Sequence, residues 1–306
     1  MNSPNIREAL LNRRMLICIF TGFASGLPLY LLISLVPAWL RTEGVGLAEI
    51  GAFALIGLPY TWKFLWSPLL DRYQLSLFNY RPGLRRSWML ITQIALLAAI
   101  STLGFFDPQT QIWDIAYLCI LIAFLSATQD IVLDAYRRQI LPDAELGLGN
   151  SVHVNAYRIA GLVPGSLSLV LADSLPWSSV FIVTAGFMLA GLALTLSISE
   201  PKLEAKHPTN LRDATIKPFK EFTGRQGVKQ AALILLFMLL YKLGDSMATA
   251  LATPFYLDMG FSKTEIGLVA KNAALWPMII GGILGGIIML KIGINRALWL
   301  FGMVQI

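Results

Sequence analysis

Eight apolar runs, each about as long as a bilayer-crossing segment, follow one another along this chain at roughly 15–40, 48–70, 88–106, 112–136, 152–172, 178–198, 230–257 and 264–290. A transmembrane helix needs about 20 mostly apolar residues. Inside hydrocarbon the backbone has no water to bond, so helices are the form that such runs can take. The 306 residues are 56% hydrophobic and only 14% charged, against about 25% charged in soluble domains. A soluble enzyme is excluded, and the expected fold is an all-α polytopic membrane protein. A ninth run opens at Ala297 and stops at Ile306, so the expectation is a chain truncated after eight full spans and part of a ninth. Arg13 and Arg14 precede the first run as in a secretory signal, but the run exceeds the 7–15 residues of such a signal's apolar region. It reads as the first span.

The net charge of +6 raises the question of a nucleic-acid partner, and the placement of the charges answers it. With the N-terminus inside, the inner segments hold three basic residues in the N-terminal arm, four in the second connection (Arg72, Arg81, Arg85, Arg86), Arg137 and Arg138 in the fourth, and seven in 199–229, with Lys291 and Arg296 beyond. The outer connections hold Arg41 and Lys263. This is the positive-inside distribution of a membrane protein. It places the N-terminus in the cytoplasm, makes the lipid bilayer the partner and leaves no basic stripe for nucleic acid.

The connection 199–229 is longer and more polar than the others and carries Pro201, Pro208 and Pro218. It divides the chain into a six-helix bundle over 1–198, a cytoplasmic linker over 199–229, and the start of a C-terminal bundle over 230–306. The segment PAWLRTEGVGLAEIG (37–51) recurs as PFYLDMGFSKTEIG (254–267): a proline at the outer end of a span, a turn, then Glu-Ile-Gly opening the next. A recurrence one half-molecule apart fits two six-span halves around a central pathway, the major facilitator architecture, in which substrate sits near the midplane.

Several charges fall within spans: Lys63, Arg158, Lys242 and Lys271, with Asp130, Asp134 and Asp245. A charge at the centre of a span costs about 2.5–3.5 kcal/mol on insertion scales, so such residues face a partner or a water-filled path. At 1.5 Å per residue, Lys63, Asp130 and Arg158 all lie roughly 10–12 Å from the inner side. Asp130 and Asp134 share a helix face, as do Lys242 and Asp245. One reading is a structural ion-pair network. The other is a carboxylate that titrates during transport, since burial and a neighbouring cation act oppositely on an acid and both change as a pathway opens to either side. Asp245, mid-span beside Lys242, is the foremost proton-coupling candidate, with Asp130 and Asp134 beside it; Asp134 also suits a gate or anchor. The cations suit anionic groups on a substrate, and Trp62, Trp66, Tyr157, Tyr241 and Trp276 suit sugar faces or ordinary packing. Pro28 and Pro164 loosen their helices. Gly22, Gly26 and the glycines at 281–286 allow close helix approach. Cys18 and Cys119 read as small hydrophobes. His153 and His207 have no metal-ligand spacing, and no catalytic, metal or cofactor motif is found.

GFASGLPLYL (22–31), KFLWSPLLDRY (63–73), SATQDIVLDA (126–135) and YKLGD (241–245), in that order, closely resemble the AmpG family of muropeptide permeases within the major facilitator superfamily. The superfamily's second-loop signature is partly kept: Ser67 replaces a glycine, and the basic cluster sits back from Asp71 and Arg72. The resemblance implies proton-coupled import of anhydro-muropeptides from periplasm to cytoplasm across the bacterial inner membrane, serving peptidoglycan recycling and β-lactamase induction. It also implies that Gly22, Gln129, Asp130, Asp134, Lys242 and Asp245 are site residues; Lys63, Arg158, Lys271 and Tyr241 are candidate substrate contacts on the charge and aromatic readings above. A different cargo, such as acetyl-CoA or another anion, and a non-transporting membrane sensor are the alternatives. A chain lacking most of a second half is not expected to enclose a whole pathway.

Overall fold

The computed structural model describes residues 12–73, 75, 83–142, 145–201, 224, 227–270, 272–273, 275–277 and 279–280. Among them the ordered elements are helical. Helix α1 starts at Arg13–Tyr30, where Asn12 accepts from the Met15 amide at 2.9 Å. It then passes through a π-turn at Leu31–Leu35 into Val36–Thr42. Proline lacks the N–H that a helix interior requires; the wide turn absorbs the disturbance between Pro28 and Pro37 without ending the helix.

The expected single span at 48–70 is instead a broken helix, α2. Its pieces are Leu47–Ala52, a 3-10 segment Phe53–Gly57, Leu58–Trp62, a 3-10 turn Lys63–Leu65, and Ser67–Arg72. Pro59 and Pro68 each stand in the first turn of a new piece, the place in a helix that tolerates proline. Helices α3 (Leu84–Leu103) and α4 (Ile112–Ile140) are unbroken. Helix α4 runs one turn past its apolar core, so Arg137 and Arg138 belong to the helix and not to a connection. Helix α5 comprises Leu146–Ala160, a π-turn Val163–Leu167 containing Pro164, and Ser168–Leu171. Helix α6 comprises Trp177–Gly186 and Met188–Ser197, and α7 spans Val228–Asp258. Helix α8 opens at Lys263–Glu265 and continues through Ile266–Ala270. The ninth run, and most of the connection 199–229, lie outside the described residues.

Among the described residues, five helical stretches are long and apolar enough to cross a membrane: Arg13–Thr42, Leu84–Leu103, Ile112–Ile140, Gly149–Leu171 and Trp177–Ser197. Their outward faces stay apolar, and Phe105, Trp113 and Tyr117 stand exposed around the start of α4, as aromatic residues do at a lipid–water boundary.

Packing is closest between α1 and α5. A side chain at Gly22 would strike the carbonyl of His153, and one at Gly26 the carbonyl of Tyr157. Without a hydrophobic driving force in lipid, small residues that let backbones approach supply the attraction. Helix α1 also meets α4 and α6, and α3 lies against α4 and α6. The enclosed centre holds Leu27, Leu31, Leu35, Trp39, Ile100 and Phe181, with the Trp39 and Phe181 rings edge-to-face at 5.0 Å. Helix α7 rests on the last third of α1 and on α2, and α8 on the end of α5.

The two repeated segments fold alike. Gly44 and Gly260 both take the left-handed backbone conformation, at φ 86° and 87°, and both close a helix with a bond from the next amide back to the end of the helix, Val45 to Leu40 at 2.9 Å and Phe261 to Tyr256 at 3.2 Å. This is the glycine-centred C-terminal cap. Glu49 then accepts from the Gly46 amide at 3.0 Å, and Glu265 from the Ser262 amide at 2.8 Å. Each Glu-Ile-Gly therefore opens a helix with its glutamate bonded back to the N-cap amide; at Ser262, whose hydroxyl also accepts from the Glu265 amide at 3.1 Å, this is a full capping box.

Candidate functional site

A cavity of about 380 Å³ lies between α1, α4 and α5. Its walls follow from helical spacing. Asp130, Asp134 and Arg137 of α4 line it at intervals of four and three, and Asn150, His153, Val154, Tyr157 and Arg158 of α5 at three, one, three and one, each set forming a single helix face. Helix α1 adds Ser25 and Tyr30.

Asp130 is the centre of the arrangement. Only 11% of its side chain is exposed. The Ser25 hydroxyl donates to its Oδ1 at 2.5 Å, and Lys63 Nζ of α2 lies 3.5 Å from its Oδ2. A carboxylate in low dielectric requires such compensation, and here two other helices, α1 and α2, supply it. One turn further along, Asp134 pairs with Arg137 of the same helix at 2.9 Å, with half of the Asp134 side chain exposed. The Tyr30 and Tyr157 rings meet at 5.7 Å and 59°. His153 is buried, its Nδ1 3.2 Å from Thr21 Oγ1. The walls thus carry both signs of charge, an amide, hydroxyls and two aromatic rings, suited to a polar solute with carboxylates. Among the described residues, no three His, Cys, Asp or Glu side chains are grouped to hold a metal.

The structure unites Lys63, Asp130, Asp134 and Arg158, residues from three spans. Two expected substrate contacts have other places. Gly22 is buried against the His153 backbone, which leaves no face for a solute. Gln129 is fully buried and donates from Nε2 to the Ala24 carbonyl at 2.9 Å, so it braces α4 against α1. Tyr241, Lys242 and Asp245 belong to α7, but their side chains, like all of Lys271, lie outside the described residues. Ser25, Tyr30, Arg137 and Asn150 are cavity residues that sequence reasoning missed. The i, i+3, i+7 polar series Asn150, His153, Tyr157 was readable; nothing distinguished Ser25.

A model of the Major Facilitator Superfamily matches residues 18–306. The chain is 43% identical over 294 residues to the anhydromuropeptide permease of Escherichia coli, covering 95% of this chain and 58% of that one. It is 32% identical over 292 residues to AmpG 4 of Rickettsia felis, covering 93% and 69%. The chain belongs to the AmpG branch of the major facilitator superfamily. An uncharacterised protein of Haemophilus influenzae is 54% identical over 305 residues, covering 99% of this chain and 71% of its own length. This AmpG-branch chain therefore spans between 58% and 71% of the length of these relatives. Membership makes it a multi-pass membrane protein of a transporter family. In such transporters the substrate site lies near the midplane between repeated units; the cavity beside Asp130 lies between α1, α4 and α5, helices of the first half.

Proposed function

We propose that this transporter imports anhydro-muropeptides across the bacterial inner membrane by proton symport, with its N-terminus in the cytoplasm, in the service of peptidoglycan recycling and β-lactamase induction. The observation that carries the proposal is the enclosed Asp130, reachable from a polar cavity and balanced by a hydroxyl and an ammonium from two other helices. An ionisable group so placed within a span is costly and suits a proton relay. The likeness to a permease of anhydro-muropeptides supports the cargo: sugars need hydroxyl and aromatic partners, and carboxylates need cations. Asp245 on α7 is a second coupling candidate. The basic ends of α1, α3 and α4 support the orientation, and 199–229 acts as the cytoplasmic linker between bundles.

The test is uptake of labelled anhydro-muropeptide by vesicles carrying the intact transporter, with and without an imposed proton gradient. Accumulation that follows the gradient is expected. Equal levels with and without the gradient would remove proton coupling, and absence of any flux would favour the sensor reading.

A further inference from the structure

The two oxygens of Asp130 are held unequally. Oδ1 takes a short bond from Ser25 at 2.5 Å, whereas Oδ2 faces Lys63 Nζ at 3.5 Å, beyond the roughly 2.7–2.9 Å of a direct charge-assisted bond. The two partners are also unequally accessible: the Asp130 side chain is 11% exposed and that of Lys63 33%. Lys63 further stands on the 3-10 turn Lys63–Leu65 between two helical pieces of α2, where backbone bonds are weaker than in a continuous helix.

We propose that Lys63 is a shared cation, paired with Asp130 when that carboxylate is ionised and handed to a carboxylate of the cargo when Asp130 takes up a proton. This rests on the proton-symport reading above and gives it a coupling step. A proton from the outer compartment bonds to Oδ2, the oxygen not occupied by Ser25. The neutral acid no longer holds the ammonium, and Lys63, still protonated, pairs with the incoming carboxylate. On the inner side the cargo leaves, the proton departs from Oδ2, and Lys63 returns. Charge at the site balances in both states, with one ammonium facing one carboxylate.

The other titratable or charged groups around Asp130 are Tyr30 from α1, Tyr60 from α2, Asp134 and Arg137 from α4, and His153, Tyr157 and Arg158 from α5. Arg137 is engaged by Asp134 three residues away on the same helix, a local pair that helix movement does not separate. The Lys63–Asp130 pair joins α2 to α4, so relative movement of those helices changes it. Linkage is reciprocal: a proton that raises carboxylate affinity is itself bound more tightly when carboxylate is present. Cargo affinity therefore rises as pH falls through the titration of Asp130.

The experiment measures binding to the purified intact transporter, across pH, of two probes: the anhydro-disaccharide with a free muramyl carboxylate, and its carboxamide. The parent protein should prefer the acid by roughly ten- to hundredfold at low pH, the range of a charge-assisted contact, and lose that preference as pH rises. Asp130→Asn should keep the preference at all pH values. Lys63→Gln should bind both probes equally; the Lys63→Gln/Asp130→Asn double variant, which leaves no unpaired charge, should do the same and serves if the single variant does not fold. A full acid preference in the Lys63 variants, or an unaltered pH dependence in Asp130→Asn, overturns the proposal. Gradient-driven uptake by the parent alongside either result would leave the transport reading intact, so the two fail separately.

Discussion

Arg41 and Asp258 meet at 2.6 Å across α1 and α7, and they occupy corresponding places, four residues after the proline, in the repeated segments at 37–51 and 254–267. The pair thus joins the two halves through equivalent positions of a repeat. About a third of each side chain is exposed, so replacing Arg41 by Ala should cost about 1 kcal/mol. Arg41→Asp places two carboxylates together and should cost more, while Arg41→Asp/Asp258→Arg recovers most of the loss. Thermal unfolding in detergent measures all three; a swap no better than Arg41→Asp alone would show that the pair does not hold the halves.

Gly22 and Gly26 set the α1–α5 distance. Gly22→Ala forces a methyl group into the His153 carbonyl, and because backbone cannot yield as a side-chain tip can, the cost should reach about 1–3 kcal/mol or more. Gly186→Ala in α6 meets nothing within 4 Å and should be neutral or gain up to about 1 kcal/mol from helix propensity. The same unfolding measurement separates them.

The helices of the first half were legible because lipid imposes one requirement on backbone and side chains together: an apolar run of sufficient length can do little else. The breaks in α2 were less so. Pro59 and Pro68 stand in the sequence, yet hydropathy averages over them, and only the observed pieces show each proline starting a new segment. Lys63, Asp130 and Arg158 converged as their depths implied, since helical rise converts residue number to distance. Gln129 and Gly22 did not join the cavity: which way a residue points depends on helix rotation, and a motif match carries no rotation. Ser25 was invisible for the same reason, a small polar residue in a run of small residues that is significant only because Asp130 lies opposite.

Glu200 and Arg86 cap each other's helices. The Glu200 carboxylate accepts from the amides of Arg85 at 2.7 Å and Arg86 at 3.0 Å at the start of α3, while the Arg86 guanidinium donates to the Thr195 and Leu196 carbonyls at 3.1 and 3.2 Å at the end of α6. These are among the groups that a helix leaves unbonded, and the charges also oppose the helix dipoles favourably. Glu200→Ala should cost about 1–2 kcal/mol, and the Arg85 and Arg86 amides should exchange hydrogen faster. Unchanged exchange at those two amides would show that water caps α3 equally well.

The start of α8 is fastened to the end of α5 chiefly through Asp173. That carboxylate accepts from the Thr264 amide at 2.8 Å and its hydroxyl at 2.6 Å, with Lys263 Nζ at 3.6 Å. Lys263 itself donates to the Ala172 carbonyl at 2.6 Å and lies 5.3 Å from the centre of the Trp177 ring. Beneath this fastening Gly267 sits so near Ser166 that a side chain there would approach its carbonyl oxygen to 2.8 Å. Asp173→Ala and Lys263→Ala each remove three contacts, but the first loses two short hydrogen bonds, at 2.8 and 2.6 Å, and the second one, at 2.6 Å, so the first should loosen the contact more. Ser166, 9% exposed, replaced by Cys reports it, since Cys18 and Cys119 are both buried. Reaction with a membrane-impermeant maleimide should be slow in the parent. A loss of about 1–2 kcal/mol corresponds to a factor of about 5–30 in the open population, so Asp173→Ala should speed labelling by that order, with Lys263→Ala between. Equal rates in all three would mean that Gly267 and Ser166 hold together by packing alone, with the charged contacts contributing nothing to closure.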